Sequence, residues 1–67
     1  MIQMESVSSG HISAVGYDLE DETMVVRFQN GDEYAYSGVP FDTYESIKEA
    51  PSVGRALNAS GYKGCKL

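Results

Sequence analysis

Apolar and polar residues alternate with a period of two through the first half of the chain and recur every three or four residues in the second half. The short period reads as strands and the longer one as helices. HISAVGYD (11–18) is the first strand, with Ile12 and Ala14 on one face and Ser13, Val15 and Tyr17 on the other. Gly16 inside it marks a bulge or a close approach of backbone. LEDE (19–22) is an acidic turn. TMVVRF (23–28) sets Met24, Val26 and Phe28 against Val25 and Arg27, a second strand with β-branched content. Asn30-Gly31 then predicts a hairpin through a type I′ turn. EYAYS (33–37) is the returning strand, with Tyr34 and Tyr36 on one face.

GVP (38–40) ends the sheet pattern. FDTYESIKEA (41–50) carries Phe41, Tyr44, Ile47 and Ala50 at helical spacing. Pro40 suits a first turn, and Asp42 lies near the positive end of the helix dipole. Pro51 stops this helix by disfavouring helical geometry at Ala50. SVGRALNAS (52–60) is a second short helix, capped by Ser52, with Val53, Ala56 and Leu57 on one side and Gly61 closing it. YKGCKL reads either as a short strand or as a disordered tail. The expected fold is α+β: a small three-stranded antiparallel β-meander with one or two short C-terminal helices packed on one face. Residues 1–67 form a single domain, with 1–6 and 64–67 as candidate flexible ends.

Size and charge narrow the partners. A chain of 67 residues buries only about 60% of its unfolded surface, so its core is marginal. Such domains gain stability from disulfides, metals or oligomerisation. A single cysteine, Cys65, excludes an internal disulfide, and one His with one Cys cannot complete a structural zinc site. Homo-oligomerisation is the route left, and an uncovered strand edge offers it a surface. No cofactor is expected, and the ligand spacing of a calcium loop is absent. No run approaches the about 20 apolar residues of a membrane span. The first ten residues lack the basic and apolar regions of a signal peptide. With one unpaired thiol, the expected compartment is the cytoplasm of a bacterium or of an infected host cell.

Ten acidic against five basic residues give a net charge of −5. That opposes binding to a long nucleic acid, whose affinity comes largely from neutralising phosphates. A small anion needs only a few local donors. Residues 50–67 contain Arg55, Lys63 and Lys66 and no acid, so the C-terminal quarter is the electropositive end.

Within that quarter, PSVGR places Ser52, Gly54 and Arg55 at a helix start. Unpaired amides there favour anions, Gly54 leaves room, and a guanidinium matches phosphate geometry. The plainer alternative is that Ser52 caps and Gly54 lets the helix pack. Tyr34 and Tyr36 are either half-buried packing or a platform on which a base stacks. Lys63 and Arg27 are secondary ligand-binding candidates because cations are scarce. Ser8, Ser9, His11 and Asp18 hold the residue types of a catalytic triad but only in sequence, and adjacent serines serve as local turn formers. The acidic pairs Asp21-Glu22 and Asp32-Glu33 read as solvated turns. No catalytic residue is assigned, and the chain is not expected to be an enzyme.

VSSGHISAVGYD, MVVRFQNGDEYAYSGVP and YESIKEAPSVGRALN, in that order, resemble the KTSC domain family, a short module found at the C-terminus of some lysyl-tRNA synthetases and free-standing in bacteria and phages. YAY matches the family's Tyr-x-Tyr motif and APSVGR its Ala-x-Ser-x-Gly segment. The resemblance covers residues 4 to 63; SGYKGCKL departs from the family's longer, more aromatic C-terminal stretch. It implies a small β-rich fold and, by association with the synthetase, RNA binding. Joined to the residue reading, it leads to a non-catalytic nucleotide-binding protein, of the phage type that acts as a sponge for a cyclic nucleotide or oligonucleotide immune signal. A single-stranded RNA or tRNA module and a structural protein–protein interaction domain are the alternatives.

Overall fold

The computed structural model describes residues 2–7 and 10–67. The strands are β1 (Met4–Ser6), β2 (Ile12–Asp18), β3 (Thr23–Phe28), β4 (Glu33–Tyr36) and β5 (Gly64–Lys66). They form one antiparallel sheet in chain order, β1-β2-β3-β4-β5. Helices α1 (Phe41–Lys48) and α2 (Val53–Ser60) lie between β4 and β5 in the chain. The α+β class and the one-sided helical layer agree with the sequence reading, but the meander has five strands rather than three. The two added strands are the ends: 4–6, expected as a candidate flexible segment, and 64–66, where the reading stood open between a short strand and a disordered tail and the strand is what forms. Three residues carry too little alternation to reveal a strand, and their pairing is set by the open edges of the central hairpins.

A bulge corrects the face assignment of β2. Ile12 pairs with Phe28 and Ala14 with Arg27, so Ser13 is the extra residue. The bulge flips the alternation and brings Ile12 onto the same face as Val15 and Tyr17. That face packs with Met24, Val26 and Tyr36 against Val39, Tyr44, Ile47, Val53 and Leu57 to make the core. Ala14, Gly16 and Val25 occupy the other sheet face. Gly16 is there because of a close approach: a Cβ would lie 2.9 Å from the Gln3 carbonyl oxygen and 2.7 Å from Met4 Sδ.

The β3–β4 turn is also corrected. Only Gly31 of the Asn30-Gly31 pair has positive φ, at 94°. Gly31 N–H donates to Phe28 O at 2.9 Å and Phe28 N–H to Asp32 O at 2.8 Å, a longer loop closed by a glycine bulge instead of a two-residue type I′ turn. Asn30 Oδ1 accepts from Asp32 N–H at 3.0 Å, which favours this geometry.

α1 ends at Lys48, two residues before the sequence stripe does, with Glu49 as its C-cap. α2 begins as expected: Ser52 is extended at the N-cap and its Oγ accepts from Arg55 N–H at 3.4 Å. Gly61, at φ 79°, closes it in the left-handed region. Among the described residues no helix is long and apolar enough to cross a membrane.

Candidate functional site

At the end of the sheet where β2 begins and β3 finishes, a cleft of about 630 Å³ opens between the strands and α2. His11, Phe28 and Tyr36 form its sheet side; Ser52, Gly54, Arg55 and Asn58 form its helix side. A second hollow of about 420 Å³ adjoins it, sharing His11 and Phe28 and adding Tyr34 with the turn residues Gln29, Asn30 and Asp32. The sequence candidates Tyr36, Ser52, Gly54 and Arg55 therefore border one cleft, and Tyr34 borders its neighbour.

Each helix residue is placed by capping. Ser52 accepts from Arg55 N–H, and Ala56 N–H donates to Ser52 O at 3.0 Å. The amides of Val53 and Gly54, in the first turn, have no intrahelical acceptor. A Cβ on Gly54 would meet nothing within 4 Å, so this glycine faces open space and is not required for packing. That removes the plainer explanation for Gly54, whereas Ser52 does serve as a cap.

The two tyrosines differ. Tyr36 is 8% exposed and belongs to the core. Gly64 presses on it: a Cβ there would lie 2.6 Å from Tyr36 Cζ. Burial pushes the Tyr36 phenol above its ordinary value, and neighbouring Tyr34 adds to the shift. Its ring offers the cleft a rim and no open face. Tyr34 is half-buried and meets Phe28 edge-on, with ring centres 5.4 Å apart at 88°. Of the pair, Tyr34 is the one that can receive a stacked ring.

Ion pairing separates the cations. Arg27 is tied to Glu33 by Nε at 2.8 Å and Nη2 at 2.7 Å. Its position across from Glu33 in the β3–β4 register puts it on the open sheet face, away from the cleft. Lys48 pairs with Glu5 and Glu45, and Lys66 with Asp32. Among the described residues, Arg55 and Lys63 have no carboxylate partner. Arg55 stands in the cleft; Lys63 is exposed beyond α2 and lines neither hollow.

The triad residues do not assemble. His11 and Asp18 sit at opposite ends of β2, about 20 Å apart for a strand of this length. Ser8 and Ser9 lie outside the described residues. Among the described residues no three His, Cys, Asp or Glu side chains gather as a metal site. His11, Phe28, Asn58 and the Gln29–Asp32 turn border the two hollows without having been selected as ligand-binding residues from the sequence. They come from three separate segments, 11, 28–32 and 58, and no spacing in the chain links the three.

Residues 8–61 match the family model of the KTSC domain. The chain is 36% identical over 55 residues to a protein of Tsukamurella paurometabola, covering 82% of each. It is 34% identical over 53 residues to a protein of Stutzerimonas stutzeri, covering 79% of this chain and 75% of that one. A crystal structure of a KTSC domain protein from Yersinia pestis is similar over 100% of this chain and 99% of that chain, with a TM-score of 0.88 and 28% identity.

Proposed function

The chain belongs to the KTSC domain family, and from that premise we propose that it is a non-catalytic nucleotide-binding protein that sequesters a cyclic nucleotide signal in the cytoplasm. One observation carries the reading. The cation in the cleft, Arg55, has no carboxylate partner among the described residues of a chain with net charge −5, and it stands beside Ser52 and Gly54 at the start of α2. Phosphate oxygens would accept from the Arg55 guanidinium, the Ser52 hydroxyl and the Val53 and Gly54 amides. The base would extend past Phe28 to lie against Tyr34.

One guanidinium matches one phosphodiester charge. A triphosphate would bring more negative charge than this cleft neutralises. Two copies would offer two such clefts, which suits a cyclic dinucleotide. β1 and β5 each keep one unpaired edge among the described residues, and edge pairing is the route proposed for a homo-oligomer.

Calorimetry with 3′,5′-cyclic mononucleotides and cyclic dinucleotides tests the reading. Arg55→Ala is expected to lower affinity about 10- to 150-fold, the range of a hydrogen bond to a charged group. Unchanged affinity removes the assignment. A ligand at a hundred times its dissociation constant raises stability by about 2.7 kcal/mol, so a thermal melt reports the same event. A binding constant that falls steeply with salt, and only for oligonucleotides, would instead mark a single-stranded RNA module. No shift with any nucleotide would leave an interaction domain.

A further inference from the structure

We infer that the hollow beside Tyr34 selects a guanine-type base, with Asp32 accepting from the ring N1–H and the exocyclic amine. This rests on the nucleotide reading above and goes further by naming the base. The polar wall of the hollow is the β3–β4 turn, and the turn is held from several sides. Gly31 N–H donates to Phe28 O, Phe28 N–H to Asp32 O, and Asp32 N–H to Asn30 Oδ1. The Gln29 amide nitrogen lies 3.5 Å from Ile12 O, tying the turn to β2.

Asp32 is anchored through one oxygen. Its Oδ2 accepts from Asn30 Nδ2 at 3.3 Å and lies 3.6 Å from Lys66 Nζ. Its Oδ1 has no partner among the described residues. Asp32 lines the hollow together with Tyr34 and Phe28, and with Oδ2 engaged its Oδ1 is the oxygen left to accept from a ligand.

A carboxylate only accepts hydrogen bonds, so it favours a base edge that only donates. Guanine carries two adjacent donors, N1–H and the N2 amine. Adenine sets the N1 acceptor beside its amine and turns a lone pair toward the carboxylate. Cytosine does the same with N3, and uracil offers one donor between two acceptors. Tyr34 would stack without regard to base, which leaves discrimination to Asp32.

Three ligands sharing ribose and phosphate decide the matter: cyclic GMP, cyclic IMP and cyclic AMP, titrated calorimetrically into the full chain. The inosine ligand keeps N1–H and lacks the N2 amine. The expected order is GMP, then IMP, then AMP, with about 5- to 150-fold between first and last, the span of a good bidentate base contact. Asp32→Asn is expected to abolish the GMP preference. Lys66→Ala removes the ion pair but keeps the carboxylate, and is expected to retain it; this separates base reading from a loosened turn. Equal binding of all three, an AMP preference, or an Asp32→Asn variant with unaltered order overturns the inference and leaves the phosphate cleft standing. No binding by any of them, nor by the cyclic dinucleotides, overturns the cleft as well.

Discussion

The two ends of the β2–β3 hairpin carry the same kinds of residue in opposite states. At the end away from the cleft, Tyr17 stacks on Tyr44 with ring centres 4.9 Å apart and meets Phe41 edge-on at 5.5 Å. The Tyr17 hydroxyl donates to Val39 O at 2.5 Å. Lys48 lies 5.2 Å from the centre of the Tyr44 ring and is paired with Glu5 at 2.9 Å. The Tyr17 hydroxyl and the Lys48 ammonium both have acceptors inside the protein. At the cleft end, Tyr34 retains exposed surface and Arg55 has no carboxylate partner among the described residues. Tyrosine beside a cation is therefore uninformative until the partners are counted. A closed network holds the fold, and an open one is where a ligand can supply what is missing.

The largest expected effect breaks the closed end. Tyr17→Ala removes a stacked ring and should cost about 3 kcal/mol in chemical denaturation. Tyr17→Phe keeps the ring but strands the carbonyl of buried Val39, at about 1–3 kcal/mol. The phenylalanine variant should bind nucleotide as tightly as the parent, because the ring lies far from Arg55. Reduced affinity in that variant would mean that the two ends are coupled.

Arg55→Ala reverses the pattern. Melting temperature should barely move, since an exposed side chain outside any ion pair contributes within about 0.5 kcal/mol, while affinity falls. A large loss of stability would place Arg55 among the structural residues and erase the contrast.

Two glycines sharpen it further. Gly16→Ala drives a methyl group into Gln3 O, Ile2 and Met4 and should cost about 1–3 kcal/mol by displacing β1. Gly54→Ala meets no atom and should stabilise α2 by up to about 1 kcal/mol, yet weaken nucleotide binding by narrowing the approach to the helix amides. A variant that is more stable and binds less well is hard to explain if Gly54 serves only packing.

The smallest effect is electrostatic. The hydrogen bond and charge of Lys48 hold the Glu5 carboxyl below its ordinary value of 4.5. A depressed carboxylate contributes stability above its unfolded value, and that contribution is lost as pH falls through the lower folded value. Glu5→Gln should therefore flatten the acid limb of a plot of melting temperature against pH. Lys48 is raised by the same hydrogen bond, so its share persists below the ordinary lysine value of 10.5 and disappears as pH rises past the folded one. An acid limb unchanged by Glu5→Gln would mean that the contact is not populated in solution.

Local chemistry was enough to read the central hairpin, both helices, the Ser52 cap and the Gly61 stop from the chain, because capping, turn and periodicity signals act over a few residues. Gly16 announced either a bulge or a close approach; the structure shows the approach, from Gln3 and Met4. The bulge at Ser13 was invisible, since an extra residue changes register only relative to a partner strand. β1 was missed, and β5 was left open between a short strand and a disordered tail, for a related reason: three residues define no period, and their order comes from hydrogen bonds to strands far away in sequence. Of the cleft, the helix-borne residues were legible because they sit within one turn. Arg27 and Arg55 look alike in the chain; only pairing across β3 and β4 commits the first to Glu33 and leaves the second without a carboxylate. His11, Phe28 and Asp32 share a hollow only once the start of β2 pairs beside the β3–β4 turn. The sequence determined the three central strands, the two helices and what chemistry each can offer. Tertiary packing decided which of those groups are satisfied inside the protein and which stay open to a ligand, because satisfaction depends on distance in space.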